Sequence, residues 1–123
     1  KGWKLMLHLT TQNFESFRAC HWQLSSDAPA GESTDHPVFA VVMFYAVWCG
    51  KCAMMRPISE KVFGSIRFFE VETTESGLLA AEYQTDLLPT FLFFKDQELI
   101  AVIQGMISQN DFDARLQKIF RNS

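Results

Sequence analysis

The chain has 123 residues, 48% of them hydrophobic, so it is long enough to fill the core of one domain without metal or disulfide staples. Its formal net charge is -3 and it has no long run of Lys or Arg, which argues against nucleic acid as a partner, because phosphate binding needs a concentrated basic surface. The longest apolar run, residues 38–49, is too short for a membrane-spanning helix, which needs about 18 residues.

The first third of the sequence predicts a strand, a helix, a loop and a buried strand. Residues 4–9 alternate loosely in polarity and predict a short strand, and residues 13–20 predict a helix. Residues 25–37 are rich in Ser, Asp, Gly and Pro and predict an extended, exposed loop. Residues 38–45 are apolar on both faces, which is typical of a central strand covered by helices on two sides.

The middle of the chain predicts a helix, a strand and a second helix. The first helix begins near Cys49 and extends to about residue 63, and Pro57 should bend it because proline lacks an amide donor. Residues 66–71 predict the next strand, and residues 74–83 a further helix. The apolar contacts of that helix are predicted to be Leu78, Leu79 and Tyr83.

The last third predicts a β-hairpin and a final helix. Residues 90–94 and 98–103 are the paired strands, joined by a turn at 95–97, and Ser108 caps the helix that follows. The apolar side chains of this helix recur at helical spacing at Phe112, Leu116, Ile119 and Phe120. The order β-α-β-α-β-α-β-β-α predicts one domain over residues 1–123, with an α/β fold and a mixed central sheet of four to five strands flanked by about four helices.

The chemistry in this sequence is concentrated in its cysteines. Cys49 and Cys52, separated by two residues, form a redox pair, half of a zinc site, or a coincidence. Redox chemistry is favoured because the pair follows a buried strand and opens a helix, where free amide donors and the helix dipole stabilise a thiolate. A zinc site would need further ligands, and only Cys20 and the three histidines offer them. We interpret Cys20 as a small buried hydrophobe, with a regulatory or intermolecular thiol as the alternative.

Several motifs in order resemble the thioredoxin family over nearly the full length of the chain. They are Trp48-Cys49-Gly50-Lys51-Cys52, Pro57 five residues later, Leu88-Pro89-Thr90, and Gly105 after the last strand. The resemblance implies the thioredoxin fold, a cis Leu88–Pro89 bond beside the cysteines, and a groove at Gly105 that binds substrate. Trp48, Gly50 and Lys51 would support the cysteine pair, and Met106 would add a soft, polarizable contact at the rim of the groove.

The activity implied by the resemblance is thiol–disulfide exchange with protein disulfides. Cys49 would attack, Cys52 would resolve the mixed disulfide, and the protein would act as a reductant without any cofactor. Its partners would be disulfide-containing proteins and an upstream thiol reductase or another electron donor, and we expect a monomer. The alternatives are an oxidase or isomerase of an oxidising compartment, which Lys51 supports weakly, and a non-catalytic adaptor that only binds through the groove.

Three positions depart from the family pattern. Met43 stands where the family usually has a buried Asp, Glu70 stands where it has the partner Lys, and Lys51 replaces a Pro. Two interpretations of Glu70 are open: a base that deprotonates Cys52, or a solvated charge at the end of its strand. We expect a cytoplasmic protein; because the chain begins with Lys1 rather than Met, the alternative is an extracytoplasmic protein exported or tethered by a preceding segment.

Overall fold

The structure, a computed structural model, describes residues 7–20, 22, 38–53 and 66–121. Within these ranges the predicted order of strands and helices is confirmed. The elements are β1 (Leu7–Leu9), α1 (Phe14–Ala19), β2 (Phe39–Tyr45), α2 (residues 50–53), β3 (Ile66–Glu72), α3 (Gly77–Glu82), β4 (Thr90–Lys95), β5 (Glu98–Gln104) and α4 (Gln109–Arg121). The predicted loop at 25–37, the bend at Pro57 and the continuation of the second helix to about residue 63 lie outside the described residues, and the single domain over 1–123 stays a prediction.

The five strands form one mixed sheet in the order β1-β3-β2-β4-β5. β3 is parallel to β1 and β2, while β4 is antiparallel to both β2 and β5. Parallel neighbours need a crossover and antiparallel neighbours need only a short turn, which explains why helical segments lie between the early strands and a tight turn joins β4 to β5. At that turn Asp96 has a φ of 55°, a left-handed conformation that Asp tolerates better than most residues.

Two apolar layers cover the sheet, one on each face. Phe14, Trp22 and Leu79 pack on one face, and Phe112, Leu116 and Phe120 of α4 pack on the other. Residues of β2 alternate between the layers, so the continuous apolar run seen in the sequence reflects a strand buried on both sides. Each of these buried large side chains contributes about 1.5–3 kcal/mol relative to an exposed one, so the two layers stabilise β2, whose carboxyl end leads into the segment that carries the cysteines.

Two predictions about single residues are wrong. Leu78 is 79% exposed, because α3 begins at Gly77 and turns Leu79 toward the core, which leaves its neighbour about 100° around the helix. Cys20 is exposed rather than buried. It follows the end of α1, six residues after the buried Phe14, and therefore lies about 120° away from the face that packs on the sheet.

No helix among the described residues is long and apolar enough to cross a membrane.

Candidate redox site

The sheet order brings the predicted site residues to one end of the molecule. Cys49 follows the carboxyl end of β2, Pro89 immediately precedes β4, and Gly105 immediately follows β5. β4 is antiparallel to both neighbours, and its first residue, Thr90, pairs with Phe44 near the end of β2 and with Gln104 at the end of β5. The cysteine segment, the proline loop and the glycine therefore meet at this end of the sheet.

Cys49 and Cys52 are joined by a disulfide, with their Cα atoms 5.4 Å apart. The backbone N–H of Cys52 points at the sulfur of Cys49, with 3.3 Å between nitrogen and Sγ. Cys49 is partly exposed, whereas Cys52 is only 2% exposed. An amide donor directed at a sulfur stabilises negative charge on it, and the sulfur that receives this donor belongs to the more exposed of the two cysteines.

The surface around the disulfide is apolar and open. Val47 and Trp48 are 81% and 72% exposed, and Leu87 and Met106, which flank the proline loop and Gly105 in the chain, are exposed as well. Gly50 and Lys51 are also exposed.

The proline loop is closely tied to β5. The Leu88–Pro89 peptide bond is cis, and Pro89 and Thr90 are both buried. The carbonyl oxygen of Pro89 accepts the N–H of Gly105 at 2.8 Å. Gly105 has a φ of 92°, a conformation that side-chain-bearing residues rarely adopt, so a glycine is required here by backbone geometry.

Glu72, the last residue of β3, lies next to the segment that carries the cysteines, and the sequence analysis did not single it out. The residue is buried, at 7% exposure, and its carboxylate accepts the N–H of Val47 at 3.2 Å and the N–H of Glu75 at 2.7 Å. Burial alone would raise the pKa of this carboxyl, but the hydrogen bonds from Glu75, Val47 and Thr74 outweigh it and lower the pKa below its usual range. The predicted strand stopped one residue earlier, and an acid directly after a buried strand is the signal that would have found Glu72.

Glu70 lies inside β3 in register with Met43, on the face of the sheet covered by α4. Its side chain is 12% exposed, and its carboxylate accepts hydrogen bonds from His8 Nδ1 at 2.9 Å and from the Tyr45 hydroxyl at 3.3 Å. The interpretation as a solvated charge at a strand end is therefore wrong.

His8 connects Glu70 to the turn after β3. Its Nε2 lies 2.6 Å from Oε1 of Glu75, so both ring nitrogens face carboxylates. The hydrogen bond to Glu70 is the main cause of a raised pKa for His8, and Glu75 adds to it against the effect of burial. The His8 ring thus ties β1 to β3 and to the turn that contains Glu75.

No group of three or more His, Cys, Asp or Glu side chains that could hold a metal ion occurs within residues 7–20, 22, 38–53 and 66–121. Two of the histidines considered for zinc, His21 and His36, lie outside those ranges.

Comparison with known proteins agrees with this geometry. The family model described as Thioredoxin matches residues 32–118. Thioredoxin Y2, a chloroplastic protein of Arabidopsis thaliana, is 37% identical over 90 residues, which cover 70% of this chain and 53% of that protein. Thioredoxin of Porphyra purpurea is 32% identical over 90 residues, covering 70% of this chain and 82% of that protein. The chain thus spans about half the length of the first relative and most of the second.

Solved structures are similar over almost the whole chain. The oxidised mitochondrial thioredoxin 3 of Saccharomyces cerevisiae has a TM-score of 0.71 and 26% identity, with 92% of this chain and 94% of that one covered. A chain from a study of thiol resolution in yeast mitochondrial 1-Cys peroxiredoxin by glutathione and thioredoxin systems has a TM-score of 0.72 and 26% identity, with 96% and 99% covered.

Proposed function

This chain belongs to the thioredoxin family of disulfide oxidoreductases, whose redox group is the CXXC pair itself, and we propose that it reduces disulfides in other proteins, with Cys49 as the attacking thiol. The observation that carries this proposal is the contrast between the two sulfurs. Cys49 is partly exposed and its sulfur receives the amide N–H of Cys52, whereas Cys52 is only 2% exposed. A substrate sulfur reaches the first and not the second.

The proposed cycle transfers two electrons to the substrate. The Cys49 thiolate attacks one sulfur of the substrate disulfide, which forms a mixed disulfide and releases the first substrate thiolate to take up a proton. The thiol of Cys52 then loses its proton and attacks the sulfur of Cys49. This step closes the Cys49–Cys52 disulfide and releases the second substrate thiol. An upstream thiol reductase or another electron donor returns two electrons to the pair.

The apolar surface beside the disulfide is proposed to bind the substrate polypeptide. Leu88, Pro89 and Gly105 would supply backbone groups with which an extended segment pairs, and Trp48 and Met106 would contact its apolar side chains. This role is supported by the meeting of the segments after β2, before β4 and after β5 at one end of the sheet, and by the exposure of Trp48 and Met106.

Lys51 and Gly50 are proposed to support the pair in different ways. The ammonium of Lys51 adds positive charge next to the attacking thiol, which favours its thiolate. Gly50 begins α2, and a β-carbon there would meet nothing within 4 Å, so its role would be to leave the surface next to Cys49 free of a side chain.

Glu70 is proposed as the base that takes the proton of Cys52, in place of the carboxylate missing at Met43. Its register with Met43 and its low exposure support this role. The hydrogen bonds from His8 and Tyr45 would hold the carboxylate in place.

The test is an insulin-type disulfide reduction assay with three serine variants. Cys49→Ser should abolish turnover, and Cys52→Ser should accumulate a mixed disulfide with substrate. Cys20→Ser is the matched control, because Cys20 is an exposed free thiol at the end of α1, and it should behave like the parent. Trapping by Cys49→Ser instead of Cys52→Ser would reverse the assignment, and a parent that binds protein disulfides without reducing them would favour the adaptor.

The direction of electron flow is decided by the reduction potential, measured by equilibration with glutathione. A potential near that of known thioredoxins, about -270 mV, supports the reductase, whereas one near about -180 to -120 mV supports an oxidase or isomerase. The cytoplasmic location and the monomeric state stay predictions. The relatives include proteins named as chloroplastic and mitochondrial.

A further inference from the structure

Glu72 is a buried carboxylate that the proposed cycle does not use. Each of its two oxygens accepts a backbone amide: Oε2 accepts the N–H of Val47, and Oε1 accepts the N–H of Glu75. Thr74 contributes further hydrogen bonds from its hydroxyl and its amide. A carboxylate surrounded by donors in this way keeps its negative charge although it is buried.

The position of Glu72 follows from the register of β2 and β3. Glu72 pairs with Tyr45, the last residue of β2, and the N–H of Thr73 donates to the carbonyl oxygen of Tyr45 at 2.8 Å. The chain then continues from Tyr45 through Val47 to Cys49. Because two residues span at most about 7 Å and the hydrogen bond to Val47 adds 3.2 Å, the carboxylate lies within about 10 Å of the Cys49 amide.

We propose that Glu72 is a positioning residue of the dithiol site, which holds the cysteine segment through the amide of Val47 and whose fixed negative charge disfavours the Cys49 thiolate. The inference rests on the proposed reductase function and deepens it. Destabilising the thiolate destabilises the reduced state, which lowers the reduction potential and makes the protein a stronger reductant. The charge thus opposes the effects of Lys51 and of the amide of Cys52.

The other ionisable groups at this end of the sheet differ from Glu72 in their burial or in their partners. Among the described residues they are Lys51 on α2, Glu75 and Asp86 in the turns after β3 and α3, Glu70 on β3 itself, and His8 on the neighbouring strand β1. Lys51, Glu75 and Asp86 are exposed, so water screens their charges, and Glu70 is partnered by His8. Glu72 is the buried carboxylate that bonds directly to the cysteine segment.

The size of the effect follows from Coulomb's law. If the distance from the carboxylate to the Cys49 sulfur is taken as about 10 Å, a unit charge with an effective dielectric constant between about 20 and 80 shifts the titration of the thiol by about 0.3 to 1 pH unit. Removing the charge should therefore move the equilibrium with glutathione about two- to tenfold toward the reduced protein. For a two-electron couple this corresponds to a potential about 9 to 30 mV higher.

The experiment compares Glu72→Gln with Glu82→Gln, which removes an equal charge from the exposed face of α3. The pH profile of Cys49 alkylation is measured in the reduced proteins, together with the glutathione equilibrium, after circular dichroism has confirmed that each variant is folded. Glu72→Gln should move the midpoint of the profile down by about 0.3 to 1 unit and raise the potential, while Glu82→Gln should match the parent. Equal profiles for the two variants would overturn the proposal.

Glu72→Asp provides a second test, which also serves if Glu72→Gln does not fold. Aspartate keeps the charge but is one methylene shorter, so it should leave the alkylation midpoint near that of the parent while hydrogen exchange at the Val47 amide becomes faster. A midpoint shifted as far as in Glu72→Gln, or an unchanged exchange rate, would contradict the proposed role. Both measurements use the isolated protein, so a parent that fails to reduce insulin would refute the proposed function without deciding the role of Glu72.

Discussion

A methyl group added at Gly105 would test whether the backbone after β5 is held in its left-handed conformation. A β-carbon at this position meets no atom within 4 Å, so Gly105→Ala creates no clash. The φ of 92° is the remaining obstacle, and a side-chain-bearing residue there costs about 1–2 kcal/mol. If the backbone relaxed instead, the hydrogen bond from the Gly105 N–H to Pro89 would be weakened, at a similar cost of about 1 kcal/mol.

The matched control is Gly77→Ala at the start of α3. A β-carbon at Gly77 also meets nothing within 4 Å, and its φ is outside the left-handed region. Alanine is the better helix former, so this variant should be more stable than the parent by about 0.5–1 kcal/mol. The same chemical change is thus expected to have opposite signs at the two glycines.

Urea unfolding of both variants and the parent provides the measurement. The free energies of unfolding of Gly105→Ala and Gly77→Ala should differ by about 1.5–3 kcal/mol, with equal m-values. An unchanged stability of Gly105→Ala would show that the left-handed backbone at this position imposes no such cost. A loss at both glycines would show that an unrecognised contact, rather than φ, sets the effect.

Three further outcomes are expected. The pKa of His8 is raised above 6.5 mainly by its hydrogen bond to Glu70, so the stability that His8 contributes is complete below about pH 6.5 and is lost as the pH rises through the raised value. Because the ring is partly exposed, His8→Asn should lose at most about 1 kcal/mol of unfolding free energy at pH 5.5 and almost nothing at pH 9 in urea titrations. A difference between variant and parent that grows with pH would contradict this. Ser108→Ala removes the hydroxyl that accepts the Asp111 N–H at 3.1 Å, and thermal unfolding should report a loss of about 1 kcal/mol, whereas an unchanged midpoint would show that this cap is not used in solution. Glu70→Gln should slow resolution of the mixed disulfide by about 10²-fold or more in stopped-flow kinetics with little effect on the first attack, and an unchanged resolution rate would end the role of Glu70 as the base.

Local patterns in the sequence were sufficient for much of the architecture. The apolar run at 38–45 marked a strand buried on both faces, and β2 spans Phe39–Tyr45. The two apolar runs around residues 95–97 marked a hairpin, and β4 and β5 pair there. These features depend on the polarity of neighbouring residues, which the sequence displays directly. The position of the cysteine pair between a strand and a helix was readable for the same reason.

Local patterns predicted the exposure of individual side chains less well. Leu78 and Cys20 were predicted to be buried and are exposed, because burial on a helix depends on where its first turn begins and on which face meets the sheet. A shift of one residue turns a side chain by about 100°, and the boundaries of short helices are set by contacts with the rest of the fold.

The contacts around the redox pair were decided only by the tertiary structure. The sequence by itself determined that Cys49 and Cys52 are close, since they are three residues apart in the first turn of a helix. It did not determine that Glu72 would hold the amide of Val47, or that His8 would lie between Glu70 and Glu75. Those contacts require β3 to lie between β1 and β2 in one particular register, and strand order results from the packing of both apolar layers together, which no local pattern of residues encodes.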